Sequence, residues 1–311
     1  MTDIGRASDQ LADSVRSPEI REVFRALEPQ VKVLIQNHRE TSIRWMPHEI
    51  VPWGDGEDYV SKPWRPEQSP FRPEIVTALE TNLLTEDNLP YYHSIIAGCS
   101  EHGSAMAEWN ALWTAEEATH SAAIRDYMLL KRVMDPAVLE RNRLTVMQTG
   151  FHRPFASPYE VFAYTTAQEL GTRISHLETG RKAGEPVLMK ILSLVSRDEN
   201  FHYIFYRSLV KALIEIVPDK ILPAIATQFY SFGMPGGALA DFAARSAVFE
   251  SERIFGGLEF RDGVVKPILA HWKLEQLRGL TPVAEKARDR IMKLESVLTR
   301  AIERTARKRE H

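Results

Sequence analysis

Cysteine is almost missing from this chain of 311 residues. The single one, Cys99, excludes an internal disulfide, an iron–sulfur cluster and a Cys-rich zinc site. A reducing, cytoplasmic setting is the expectation, with Cys99 an ordinary buried side chain. Long apolar runs are missing as well. No stretch of about 18 or more apolar residues exists, so no helix is expected to span a membrane. Net charge is small, formally -3, which leaves no global signature of nucleic-acid binding. The first residues lack an apolar core, arguing against a secretory signal. No Gly-x-Gly-x-x-Gly opens a helix, so the chain carries no dinucleotide fingerprint of its own.

What is present is almost wholly helical in pattern. Residues 1–16 read as a flexible N-terminal lead, and residues 17–311 as a single domain. Helices are expected at about 18–39, 72–100, 104–133, 136–149, 157–183, 185–216, 219–231, 236–254, 264–278 and 282–309. Asp135-Pro136 and Ser157-Pro158 are helix-start signals, with proline in the first turn. A segment rich in Pro, Gly and Trp follows the first helix and cannot be helical throughout. Its Trp45, Trp53 and Trp64 are expected to pack against the body. Phe232-Gly-Met-Pro-Gly-Gly marks a sharp break, and the charged end reads as a solvated amphipathic helix.

Two Glu-x-x-His pairs stand out, Glu117/His120 and Glu199/His202. Such a pair is weak evidence in a chain with 42 acidic residues and 10 histidines. The larger unit is stronger, because Glu86 precedes Glu117 by 31 positions and Glu169 precedes Glu199 by 30. Each pair also interrupts an apolar helical stripe. Trp109, Trp113, Ile124 and Met128 flank the first; Leu192, Val195, Tyr206 and Leu209 flank the second. A buried carboxylate costs several kcal/mol unless it is paired or coordinates a metal. Four carboxylates and two imidazoles on four helices are what a bundle needs to hold two metal ions. In that arrangement Glu117 and Glu199 bridge, while Glu86 and Glu169 are terminal ligands. Carboxylate with imidazole suits iron or manganese, and six protein ligands for two metals leave positions open for O2.

Several neighbours have two readings. Pro90 either kinks a long helix after Glu86 or marks a fresh helix start near residue 89. Thr172 shares the face of Glu169; its hydroxyl stands beside bound oxygen or bonds its own backbone. Asp198 braces a ligating imidazole or is a surface charge.

The stretches Glu86-Asp-Asn-Leu-Pro-Tyr-Tyr, Trp113-Thr-Ala-Glu-Glu-Ala-Thr-His, Gln168-Glu-Leu-Gly-Thr-Arg-Ile-Ser-His and Asp198-Glu-Asn-Phe-His resemble the soluble acyl-acyl carrier protein desaturases, bacterial branch. The likeness runs from Trp45-Met-Pro to the Met234-Pro break. It implies an all-α fold, a ferritin-like four-helix bundle core with additional flanking helices, usually as a homodimer. It also implies an O2-dependent diiron enzyme of fatty acid biosynthesis that introduces a cis double bond into an acyl chain on acyl carrier protein. Electrons would come from an external ferredoxin-type donor. Glu86, Glu117, His120, Glu169, Glu199 and His202 are then the ligands of two iron ions. Thr172 matches a threonine near the oxygen site, and Trp45, His120 and Asp198 match an electron relay. One departure is visible: the usual Glu-Glu-Asn-Arg-His-Gly reads Glu-Glu-Ala-Thr-His-Ser here. That departure bears on the tuning of the centre and on substrate preference.

Two rival functions fit the same framework. One is iron storage on a ferritin-like bundle, against which chain length and the helices after residue 216 argue. The other is a diiron oxygenase hydroxylating a different carrier-bound or free substrate. Arg39, Arg44 and the basic C-terminal helix are candidates for carrier docking.

Overall fold

A computed structural model describes residues 11, 13–237 and 239–309. Of the expected flexible lead, residues 1–10 and 12 lie outside the described residues, and 11 and 13–16 are helical. The helices are α1 (Pro18–Thr41), α2 (Pro73–Glu86), α3 (Leu89–Ala97), α4 (Ala105–Leu130), α5 (Pro136–Thr149), α6 (Pro158–Ala183), α7 (Pro186–Ile216), α8 (Pro218–Tyr230) and α9 (Phe242–Ser251). After them come three consecutive pieces, Gly257–Glu259, the π-helical Phe260–Val265 and Lys266–Trp272, together α10. The last two helices are α11 (Pro282–Met292) and α12 (Leu294–Arg309). No strand occurs among the described residues.

Local sequence sets most of these boundaries. Pro18, Pro136, Pro158 and Pro186 each open a helix, where a missing N–H costs nothing. Ser17, Ser104 and Ser157 accept hydrogen bonds from first-turn backbone N–H groups. Gly184, at φ 67°, ends α6 in the left-handed conformation.

Four expected helices are corrected, the first being 264–278, which begins at Gly257 and ends at Trp272 before the short turn Leu274–Gln276. The 72–100 stretch is two helices, because α2 stops at Glu86 and α3 begins at Leu89 with Pro90 in its first turn. Pro90 has no N–H for the carbonyl of Glu86, so of its two readings the fresh start is the one observed. The 236–254 helix is shorter, Phe242–Ser251, since the Gly-Met-Pro-Gly-Gly break extends into its start. The last helix divides at Lys293. Trp53 is also corrected: it is 50 % exposed, whereas Trp45 is buried and Trp64 donates to the carbonyl of Arg132 at 3.0 Å.

Four helices form the bundle. Helix α2 packs on α4, α4 on α7, α7 on α6 and α6 back on α2, while α1 lies across α4 and α7. Inside are two separate apolar clusters. One holds Trp109, Trp113, Phe162, Phe205 and Tyr206; the other holds Leu83, Ile124, Tyr127, Ile191 and Leu192. Along α4 and along α7 the chain passes from one cluster to the other, and the Glu-x-x-His pairs fall in between. Outside the bundle, Arg245 ties α9 to α2 through Glu80 at 2.8 Å and the Thr81 hydroxyl at 3.1 Å.

Leu192 is fully buried in the second cluster. Leu192→Ala is expected to destabilise the chain by about 2–5 kcal/mol, read as a lowered midpoint in urea unfolding. A loss below about 1 kcal/mol would show that this end of the bundle repacks freely.

Candidate metal centre

Glu86, Glu117, His120, Glu169, Glu199 and His202 are all buried and converge at mid-bundle. They form two overlapping groups, Glu86/Glu117/His120/Glu199 and Glu117/Glu169/Glu199/His202. The ligand atoms within each lie within 4.8 Å of one another. Glu117 and Glu199 belong to both groups. His120 Nδ1 lies 3.8 Å from Glu86, 3.5 Å from Glu117 and 3.5 Å from Glu199. His202 Nδ1 lies 3.0 Å from Glu117 and 3.5 Å from Glu169. The two imidazole centres are 6.0 Å apart.

These residues suit dications. The inward atoms Glu117 Oε1, Glu169 Oε2, His120 Nδ1 and His202 Nδ1 are buried without a hydrogen-bond partner. Such atoms cost free energy unless something else satisfies them. The outward atoms, by contrast, are tied down. His176 Nε2 lies 2.9 Å from Glu86 Oε1, and Trp113 Nε1 donates to Glu169 Oε1 at 3.2 Å. Each terminal carboxylate therefore has one oxygen held and one turned inward.

The imidazoles are braced in a matching way. Asp198 Oδ2 accepts from Trp45 Nε1 at 2.6 Å and lies 3.5 Å from His120 Nε2. Asp198 is buried, so it is not a surface charge. On the other side Glu116 Oε2 lies 2.9 Å from His202 Nε2, and His38 Nε2 lies 3.0 Å from Glu116 Oε1. The acid preceding each shared glutamate thus holds the histidine of the other pair. Glu116, His38 and His176 were missed from sequence. A signal existed for each: Glu116 repeats the position of Asp198, His38 ends the stripe Leu27–Val31–Ile35, and His176 continues Glu169–Thr172.

Thr172 bears on both of its readings. Its Oγ1 is 3.0 Å from the carbonyl of Glu169 and 2.7 Å from Glu199 Oε2. One hydroxyl proton serves one of these, and the shorter, charged acceptor is favoured.

Electrostatics follow from burial. Desolvation and the neighbouring charges of Glu199 and Glu86 raise the pKa of Glu117. Desolvation and Glu199 raise that of Glu169 well above the usual carboxylate range. Burial opposes charge on Glu86 and Glu199 too, but hydrogen bonds from His120, joined by His176 for Glu86, win and hold both below that range. Burial disfavours charged His120, yet Asp198 and the surrounding glutamates push its pKa well up. Dications would relieve the same desolvation and repulsion, so metal and protons would compete for these groups.

Position along the chain is equally fixed. Glu86 is the last residue of α2, and the following Asp87 is gripped by Arg143 Nε at 2.7 Å and Ser121 Oγ at 2.7 Å. Ser121 is one of the residues departing from the desaturase pattern, and here it helps to anchor that helix end. The other two departures point away. Ala118 is exposed, and the Thr119 hydroxyl bonds back to the carbonyl of Ala115 at 3.2 Å.

Beside Thr172 lies a cavity of about 410 Å³. Thr85, Thr172 and Ser175 line its inner end, and Phe229, Phe232, Phe242, Phe249, Phe255 and Phe260 make its walls. Gly171 permits this wall, since a Cβ there would meet Met234 Sδ at 2.9 Å.

Fold and site together define a ferritin-like helical protein with a buried carboxylate–histidine centre. The family model "Fatty acid desaturase" matches residues 19–311, and the chain belongs to that family. It is 34 % identical over 281 residues to a provisionally named acyl-[acyl-carrier-protein] desaturase, DesA1, of Mycobacterium tuberculosis, covering 87 % of this chain and 83 % of that protein. It is 27 % identical over 310 residues to the chloroplastic stearoyl-[acyl-carrier-protein] 9-desaturase of Ricinus communis, covering 92 % and 78 %. Its fold is similar to the X-ray structure of Mycobacterium tuberculosis DesA2, provisionally named an acyl-ACP desaturase. The TM-score is 0.69 at 23 % identity, over 86 % of this chain and 99 % of that one. Among the described residues no helix is long and apolar enough to cross a membrane.

Glu116→Ala and His38→Ala are expected to weaken divalent-metal binding roughly 10–100-fold, measured by cobalt(II) titration followed optically. Affinities equal to the parent protein's would remove both residues from the support of His202.

Proposed function

We propose that this chain introduces a cis double bond into a fatty acyl chain carried on acyl carrier protein. Two iron ions, O2 as co-substrate and electrons from an external ferredoxin-type donor complete the reading. One observation carries it: two ligand groups share Glu117 and Glu199, and Thr172, which bonds Glu199, lines an apolar cavity. Glu86 with His120, and Glu169 with His202, complete the ligand set. When bound, the iron pair supplies the O2 chemistry that removes two hydrogens from the acyl chain.

The chain's own part is placement. Phenylalanine walls take the acyl tail out of water, each buried CH2 contributing about 0.8 kcal/mol. They also hold particular methylenes beside the centre, where a small misplacement costs rate steeply. The Thr172 hydroxyl fixes the orientation of Glu199 and presents a polar group between that carboxylate and the cavity. Trp45 and Asp198 link the loop after α1 to His120 by hydrogen bonds, a route by which electrons enter. The cavity mouth is bordered by Leu298 of α12, whose Arg300, Arg304 and Arg307 are exposed. Arg39 and Arg44 line a different groove, over Trp45 and Asp198. Of the basic candidates, α12 is therefore the carrier-docking element in this reading. An iron store would have no use for a deep phenylalanine-walled cavity.

Glu199→Ala and His202→Ala are expected to abolish iron-dependent product formation while leaving the helical circular dichroism intact. Full turnover with stoichiometric iron in either would rule out the ligand set. Thr172→Val is expected to lower turnover roughly 10–100-fold, with O2 consumption running ahead of product. Unchanged rate and coupling would make Thr172 structural only.

A further inference from the structure

Helix α9 turns one face to the large cavity. Phe242, Ser246 and Phe249 line it from that helix. Between the two phenylalanines, on the same face at helical spacing, stands Arg245. Of the 10 residues of α9 it alone is buried. A guanidinium buried in an apolar stripe is costly unless it is paired and hydrogen-bonded.

Its partners are on α2 and α5. Arg245 Nη1 donates to Glu80 Oε2 at 2.8 Å and to Thr81 Oγ1 at 3.1 Å, and its Nε donates to Asp241 Oδ1 at 2.8 Å. Glu80 is buried too, and its other oxygen accepts from Asn142 Nδ2 at 2.7 Å. Thr81 itself lines the cavity. The pair therefore joins the cavity wall on α9 to the cavity wall on α2. Well-packed apolar side chains hold a helix as firmly as a buried ion pair does. What the pair adds is a single seat, because away from it two charges lose their partners.

Little else fastens α9. So short a helix does not persist by itself, and α9 packs mainly on α2. Just past its end Arg72 Nη1 donates to Glu252 Oε1 at 2.7 Å, an exposed pair that contributes little in water. Positive φ angles border it on both sides, Gly236 at 131° before and Arg253 at 56° after. Gly236 passes so close to Phe242 that a Cβ there would meet the ring at 2.7 Å. Ser246 is exposed where the cavity reaches the surface, so α9 is both wall and rim.

Resting on the desaturase reading above, we propose that α9 is a hinged side wall of the acyl site and that Arg245 is the positioning residue that latches it to Glu80. The acyl chain enters as α9 swings away from α2, and the latch closes behind it. Seated, the latch sets Phe242 and Phe249 against the chain. Released, it widens the mouth at Ser246. Segments that open in this way have few buried contacts and exchange their amide hydrogens ahead of the core.

Amide hydrogen exchange of the full chain, followed by mass spectrometry, tests the latch. In the parent, α9 is expected to exchange at least about tenfold faster than α6, and to slow when acyl-acyl carrier protein is added without O2. Arg245→Met should speed exchange in α9 by a further factor of about ten and leave α6 and α7 unchanged. With iron, O2 and a reduced donor, the same variant should show KM raised about tenfold at nearly constant kcat. Arg245→Lys, which keeps the charge, should recover much of both effects. Arg72→Ala should change neither. Glu80→Gln should give the same pattern as Arg245→Met and serves if that variant does not fold. Parent α9 as slow as α6, no change of α9 in either latch variant, or exchange raised equally in α6 and α7 would each overturn the proposal. An acyl carrier substrate that neither slows α9 nor yields product with the parent would instead sink the desaturase reading, and the variants' exchange would still decide the latch.

Discussion

Four carboxylates and two imidazoles lie buried between two apolar compartments, and the fold must make that tolerable. Carboxylates gathered in a low-dielectric interior repel one another and lose their hydration. In this bundle burial and mutual repulsion raise the pKa values of Glu117 and Glu169, while hydrogen bonds from histidines hold those of Glu86 and Glu199 down. Divalent cations answer the same demand better, because they satisfy the inward oxygens and nitrogens at once. The two apolar clusters on either side supply the burial that keeps the helices together despite this polar layer.

Around that layer runs a ring of supports with approximate two-fold character. Trp45–Asp198–His120 and His38–Glu116–His202 are counterparts, as are His176–Glu86 and Trp113–Glu169. Each support uses the outer atom of a ligand and leaves the inner atom turned to the centre, which fixes ring orientation and tautomer. The counterparts differ chemically. An indole holds one brace and an imidazole the other, so the two ligand groups are not equivalent. Only the Trp45 side matches a relay suggested by family resemblance; the His38 side emerges from the geometry.

Through Thr172 the centre adjoins a phenylalanine-walled cavity on one side. The departures at Ala118 and Thr119 face outward, and Ser121 bonds Asp87. None of the three belongs to the two ligand groups.

The sequence by itself singled out the six side chains that converge in two groups, the sharing of Glu117 and Glu199 between those groups and the boundaries of α5, α6 and α7. Those features are local or periodic: a carboxylate on an apolar stripe, a proline after a capping serine, a unit that recurs. Sequence could not say that α2 ends at Glu86, because Pro90 permits a kink as readily as a fresh start. It could not say which distant acid braces which histidine, since Glu116 and His202 are 86 positions apart. Nor could it tell the phenylalanines of the cavity walls from those of the plain core. Tertiary structure decided these points, because they depend on which faces of separate helices meet, and helical periodicity says only that a face is buried.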